Sequence, residues 1–455
     1  MTPPTPPRDR MTVLAPEGML GYGIPVRSMK EGLARDPDVL AVDAGSTDPG
    51  PYYLGAGVPY TSRRAVKRDL AMMLEAADAR HIPVLIGSAG GGGGRPHVEW
   101  LVDVYREICR ERGYRFRTAI IQAEIDKAWL RAKVARGQVT PLDLSEPLTG
   151  DTIEGATRIV AQMGDEPFQK ALDLGAEVII AGRACDASVI AALPIRAGFD
   201  RALAIHMGKI LECGGAAAYP RHGSDSLLGV IDHESFIVEP PNPDKICSVA
   251  SVAAHSLYER SDPYRLALPG GAIDLTGTTF EQVSPRAVRV RGTRFAPAPY
   301  TFKLEGVRMV GYRTIAVAGT RDPILISQID AYLENVRSRV KEVYGSEDYR
   351  LLFHVYGRDG VMGRLESVKE IGSHELGIVI EVVAGDPDTS GAILALSRSA
   401  ALHSTYPGRK AIAGNLAFPF SPSDLRAGAA FEFSVHHLVE VDDPLELFPV
   451  EMIEI

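Results

Sequence analysis

The sequence is poor in cysteine. Cys109, Cys185, Cys213 and Cys247 are its only four in 455 residues, and none falls in a C-x-x-C pair. This excludes a disulfide scaffold or a zinc ribbon and reads as free thiols in a reducing compartment. Basic excess is also absent. The formal net charge is -9, so a nucleic-acid binder, which needs cations against phosphates, is not expected. No apolar stretch reaches membrane-spanning length. The opening "MTPPTPPRDR" has no signal-peptide core and reads as a disordered tail over 1–10. These absences together predict a cytoplasmic protein with neither a nucleic-acid nor a membrane partner. Histidine motifs are missing too. The 11 histidines include the adjacent pair His436-His437 but no H-E-x-x-H or H-x-H pattern. Neighbouring strand residues face opposite sides, so that pair cannot readily share an ion. If a metal binds, a hard ion such as Mg²⁺ on carboxylates is the expectation; no cofactor is otherwise indicated.

What the chain does have is glycine, 45 residues of it. The stretch "IPVLIGSAGGGGGRPHVEW" (82–100) holds five in a row. Glycine weakens helix and strand interiors, so the run must be a loop. The apolar Ile82–Ile86 before it reads as a buried strand. After it, Pro96 suits a helix start, and Val98, Leu101, Val102, Tyr105 and Ile108 form one helical stripe. Strand, glycine loop, helix places backbone N–H groups at a helix N-terminus, where an anion is favoured. Ser88, Gly90, Gly91, Gly92 and Gly93, with Arg95 and His97, are therefore candidate substrate-binding residues. The loop is not a P-loop, because no Gly-Lys-Ser/Thr follows, and it departs from the dinucleotide fingerprint. The plain alternative is a flexible surface connection.

At 455 residues, with 45% apolar and 24% charged side chains, about two to four globular domains are expected. Strand-like and helix-like runs alternate from Met11: strand 39–45, helix 62–81, strand 116–126, helix 155–175, strand 176–186. This predicts an α/β main domain over 11–300, a mainly parallel doubly wound sheet. The proline- and glycine-rich 231–300 reads as an irregular insert or cap. Over 301–455 the rhythm becomes β-α-β-β-α-β: strands at 312–319, 349–357, 375–385 and 429–441, helices at 322–345 and 387–408. That order is a smaller ferredoxin-like α+β domain. The loop 411–424, carrying Asn415, interrupts it before the last strand and is expected to pack against the first domain or a second subunit. No internal repeat is visible.

In parallel sheets ligands bind beyond the carboxyl ends of the strands, and four polar clusters fall at predicted strand ends. In "AVDAGSTDPG", Asp43 and Asp48 stand five apart in a glycine turn, suited to acid–base work or to a divalent ion; turn capping is the alternative. In "AEIDK", Glu124, Asp126 and Lys127 put two acids beside a base, or simply start a helix. In "AGRACDAS", Arg183 is shaped for a carboxylate or phosphate, Asp186 is an acid or a helix cap, and Cys185 is more simply a small buried residue than a nucleophile. In "HMGKILECGG", His206, Lys209 and Glu212 recur at i, i+3 and i+6 on one helix face. Flanked by Ile210 and Leu211, that stripe does not read as a solvent face; a surface ion pair is the alternative.

The runs "VLIGSAGGGGGRPHVEW", "AEIDK", "AGRACDASVIAALPIRAGFD", "KILECGGAAA", "SDSLLGV", "SVAAHSLYE" and "GNLAFPFSPSD" resemble the acyclic terpene utilisation (AtuA) family over nearly all of 11–450. The resemblance implies an α/β main domain followed by a ferredoxin-like part. It also implies a link to the breakdown of branched acyclic terpenes or other carboxylic acids through acyl-CoA intermediates.

The expectation is a hydro-lyase acting by acid–base catalysis on a branched carboxylate or acyl-CoA. Its catalytic set is drawn from Asp43, Asp48, Glu124, Asp126, Lys127, Asp186 and Lys209. Its substrate-binding set adds Arg183, His206, Glu212 and Asn415 to the glycine loop. Two other readings stay open: a non-catalytic metabolite- or CoA-binding subunit that scaffolds a partner enzyme, and a nicotinamide-dependent oxidoreductase. The ferredoxin-like end suggests a homo-oligomer, since its sheet edges need cover.

Overall fold

The computed structural model describes residues 9–221, 223–258, 262–345 and 348–455. The chain divides into two compact units: residues up to Arg308 together with Phe433–Ile455, and Met309–Glu432. The tail expected over 1–10 lies outside the described residues except for Asp9 and Arg10, and Arg10 already opens the first strand.

In the first unit the chain runs through β1 (Arg10–Ala15), α1 (Val26–Leu33), β2 (Val39–Asp43), α2 (Pro51–Ala56), α3 (Arg63–Arg80), β3 (Val84–Gly87), α4 (Arg95–Arg112) and β4 (Arg117–Ile121). Then come α5 (Lys127–Ala135), β5 (Val139–Pro141), α6 (Gly150–Gly155), β6 (Arg158–Gln162), α7 (Glu166–Asp173), β7 (Val178–Ala181), α8 (Asp186–Arg196) and α9 (Arg201–Leu211). After these follow β8 (Leu227–Asp232), β9 (Ser235–Glu239), α10 (Val249–Ser256), β10 (Arg265–Leu268), β11 (Gly271–Asp274), β12 (Thr279–Ser284), β13 (Ala287–Arg291) and β14 (Arg294–Pro297). The chain passes to the second unit within β15 (Thr301–Thr320). There it forms α11 (Pro323–Ile326), α12 (Ile329–Tyr344), β16 (Tyr349–Tyr356), β17 (Leu376–Ala384) and α13 (Pro387–His403). It returns within β18 (Asp424–Glu440) and closes with β19 (Val450–Glu454).

A ten-stranded sheet has the order β12-β13-β9-β8-β1-β2-β3-β7-β4-β19. Its five central strands are parallel, and the flanking pairings are antiparallel. The sheet is therefore mixed, which corrects the expectation of a mainly parallel one. Short turns force the difference. Only His233 and Glu234 separate β8 from β9, and such a loop can join only antiparallel neighbours. The region expected as an irregular insert (231–300) thus supplies strands to the main sheet, and β10, β11 and β14 make a small sheet of their own. The helix expected over 155–175 is also corrected. Arg158–Gln162 is extended and pairs with β15 from Lys303 to Val307, and only α7 is helical after it. Ile159 and Val160 are β-branched, and a strand partner far along the chain overrides the helical reading.

The central strands alternate between two cores, as a period of two requires. Leu40, Val42, Ile86 and Ile180 face α1, α3 and α4 through Met29, Leu70 and Leu101. Val39, Ala41, Leu85 and Ile179 face α7, α8 and α9 through Phe168, Ile190 and Leu203. So β3 and β7 are neighbours whose following helices, α4 and α8, cover opposite faces. A crevice opens beyond the carboxyl ends of such a strand pair.

In the second unit the strand order is β16-β17-β15-β18, with β15, β16 and β17 antiparallel. Its core joins Tyr332 and Val336 of α12 to Ile378, Ile380 and Val382 of β17 and to Ile393 of α13. The single helix expected over 322–345 is broken into two at Ser327 and Gln328. Among the described residues no helix is long and apolar enough to cross a membrane.

Candidate functional site

The glycine loop sits at this crevice, but it is packed rather than open: Gly87 to Gly94 are all buried. Ser88 turns the chain with φ +47° and begins a segment in which Gly90, Gly91 and Gly93 also have positive φ. Those angles suit glycine. Close approach accounts for the run more fully. A Cβ on Gly45 would lie 2.0 Å from Gly91 Cα, one on Gly93 2.3 Å from Arg183 N, and one on Gly90 2.9 Å from His97 Cβ. Four surrounding segments press on the loop, which explains why its residues have no side chains. Several of its N–H groups are already bonded: Ser88 N to Gly182 O at 2.9 Å, Ala89 N to Ala181 O at 2.9 Å and Gly93 N to Ala89 O at 3.2 Å. His97 is fully buried, and its Nε2 meets Tyr53 O at 3.0 Å and Val58 O at 3.1 Å. Burial lowers its pKa. It is a neutral clamp on the chain after α2.

Asp43 is the last residue of β2. One carboxyl oxygen accepts from Gly45 N at 3.1 Å. The other is buried with no hydrogen-bond partner among the described residues. Burial, and then the charge of Asp186, push its pKa well above the ordinary carboxylate range, against the pull of Arg183 and the Gly45 N–H. Burial therefore favours the protonated form of Asp43. Asp186, first in α8, keeps a third of its side-chain surface in solvent and lies 3.6 Å from Arg183 Nη1.

Arg183 is the keystone of the network. Its Nε donates to Glu305 at 2.6 Å, and its Nη1 to Ser88 Oγ at 3.1 Å and Ala184 O at 3.3 Å. Only 4% of it is exposed, so this guanidinium is committed to protein acceptors rather than presented to a substrate anion. Glu305 also accepts from Thr47 Oγ1 at 3.1 Å and meets Lys303 Nζ at 2.9 Å. Burial opposes its charge, but Arg183 and Lys303 outweigh burial and hold the carboxyl at about 2. The sequence reading missed Glu305 and Lys303. Their signal is two alternate charges, "KLE", inside the otherwise apolar start of β15, 122 residues from Arg183. On the far side of Glu305 a cleft of about 730 Å³ opens, lined by Thr47, Asp48, Lys303, Glu305, His436 and His437.

The remaining expected residues separate into groups. Asp48 is exposed at the cleft, where Ser46 Oγ donates to it at 2.5 Å. Glu124 accepts from Arg95 N at 3.0 Å and Arg158 Nε at 3.1 Å, a tie between segments. The Arg95 side chain is exposed. Asp126 caps α5 through Trp129 N at 2.8 Å, and Lys127 donates to Glu154 O at 2.8 Å. Both fit the helix-start alternative rather than a proton-transfer pair. His206, Lys209 and Glu212 are all buried, so their stripe is not a solvent face. His206 is satisfied by Thr293 Oγ1 at 2.7 Å and Ser256 Oγ at 2.9 Å, and Lys209 pairs with Glu212. Asn415 lies in the second unit, where its side chain donates to Ser404 O at 2.7 Å and closes a loop. Among the described residues no group of three or more His, Cys, Asp or Glu side chains is placed to hold a metal ion.

Fold and site define a mixed α/β protein with a buried polar network beyond the carboxyl ends of its parallel strands. The chain belongs to the acyclic terpene utilisation family: the family description "Acyclic terpene utilisation family protein AtuA" matches residues 61–223 and 229–418. No curated protein and no solved structure matches it.

Proposed function

We propose that the protein is a hydro-lyase that adds or removes water on a branched carboxylate or acyl-CoA substrate by acid–base catalysis. One observation carries the reading: Asp43, buried at a strand end and pushed toward its protonated form, lies in the field of the partly exposed Asp186. Two carboxyl groups of unequal burial can divide the roles of acid and base between them. In the dehydration direction Asp186 takes the proton next to the carbonyl. Asp43 gives its proton to the departing hydroxyl, which leaves as water. Arg183, fixed by Glu305 and Ser88, positions Asp186. The five parallel strands support a doubly wound reading of the first unit's centre. The β-α-β-β-α-β order supports a ferredoxin-like reading of the second.

The test is hydration of branched 2-enoic acids and their CoA esters, followed by loss of the conjugated absorbance. Asp43→Asn keeps the shape and removes the acid, so turnover falls by about 10²-fold or more while the melting temperature is kept. Wild-type activity in that variant would remove Asp43 from the mechanism. The second reading, a non-catalytic metabolite- or CoA-binding subunit, draws on the commitment of Arg183 to protein partners. Ligand binding without turnover by the wild-type protein would favour it.

A further inference from the structure

We propose that the last turn of α9 and the end of α10 form a binding site for a small anionic group, a carboxylate or a phosphate, between Lys209, Arg221 and the ring of His255. His255 is 5% exposed, and its Nε2 is buried without a hydrogen-bond partner among the described residues. A buried polar atom left unpaired costs free energy and asks for an explanation. The ring stacks on Tyr258 with centroids 5.4 Å apart and planes 14° apart, so its direction is fixed. Lys209 Nζ stands 5.5 Å from the centre of the same tyrosine ring. Arg221 lies over Tyr219, 5.1 Å from its centre, on an exposed segment, and its charge acts on His255.

Burial, Lys209 and Arg221 all act against a proton on His255 and hold its pKa at about 4. The ring is thus a neutral imidazole in a positive field. An anion placed at Nε2 accepts a hydrogen bond from the ring, offsets both cations and removes the reason for the low pKa. Glu212 balances part of the Lys209 charge, and Arg221 is the second cation. Glu212 and Asp186 both act on the Cys185 thiol. That the anion is the acidic group of the substrate rests on the acid–base reading above; the site itself does not.

The probe is inorganic phosphate, and in a second arm acetate, titrated into the full chain while the histidine ring signals are followed by NMR. The expected result is a saturable shift of His255 below about 10 mM, with its pKa raised by about one unit or more. Arg221 is exposed, so Arg221→Ala leaves the fold intact and weakens binding about tenfold. Response to phosphate alone identifies a phosphate site, and response to both anions a carboxylate-tolerant one. No His255 shift with either anion overturns the proposal, as does wild-type affinity in Arg221→Ala. Asp43→Asn leaves phosphate binding unchanged, so loss of this site and loss of the acid–base reading are told apart.

Discussion

Among single residues Glu17 makes the sharpest statement after Asp43. Glu17 and Asp69 are both fully buried, and they share one donor: Gly23 N lies 2.8 Å from Glu17 Oε2 and 3.1 Å from Asp69 Oδ2. Arg68 grips Asp69 at 2.7 and 2.8 Å. Burial, then repulsion from Asp69, push Glu17 up to about 8. The folded protein therefore binds one more proton than the unfolded chain between about pH 4.5 and 8, and stability falls as pH rises through that window. The slope is at most about 1.4 kcal/mol per pH unit. Asp165 is raised to about 6 and His255 lowered to about 4, so both titrate below pH 6.5; Asp43, raised by burial, acts with the same sign as Glu17, so the Glu17 share is the difference between wild type and Glu17→Gln. Melting temperature should drop more steeply between pH 6.5 and 8 in the wild-type protein than in Glu17→Gln. Equal slopes in the two proteins would show that this carboxyl does not titrate there. The pair was partly legible: in α3 an acid stands in the apolar stripe Val66, Asp69, Leu70, Met73, where only a paired carboxylate belongs. Glu17 itself sits in an irregular glycine loop with no period to betray its burial.

At the scale of elements the glycine loop shows what local reading can and cannot reach. Strand, loop and helix were readable from Ile82–Ile86 and the Val98–Ile108 stripe, because those signals are periodic and local. The reason for the glycines was not readable, because the segments that press on them come from 45, 60, 158 and 183. The same limit hid β6, whose partner strand begins at Thr301, and the Glu305 carboxylate that fixes Arg183. Gly45 tests the packing account most cleanly. Its φ lies outside the left-handed region, so only the 2.0 Å approach to Gly91 forbids a side chain. Gly45→Ala should destabilise the protein by about 3 kcal/mol or more in denaturant unfolding. Gly150→Ala, where a Cβ meets nothing within 4 Å, should stay within about 0.5 kcal/mol. A harmless Gly45→Ala would mean that the loop has room to move aside.

At the scale of the molecule the two units keep separate cores. The buried residues of the second unit's core fall between Ala316 and Tyr406, and among the described residues none from 309–432 belongs to the two large cores of the first. The sequence placed a change of rhythm near 300, close to the passage within β15. It could not place the return of Phe433–Ile455, because pairing of β19 with β4 leaves no mark in composition. Separate cores joined by two strand passages predict separable stability. Ile380→Ala opens a cavity in the second core at a cost of about 2–5 kcal/mol. Hydrogen exchange should then rise in the amides of β16 and β17 by about the matching factor, while those of β2, β3 and β7 keep their protection. Calorimetry should show one transition moving down and another holding still. A single transition that moves as a whole would show that the strand passages tie both units into one cooperative fold. In that case the first unit's site would lose its polar network whenever the second unit opened.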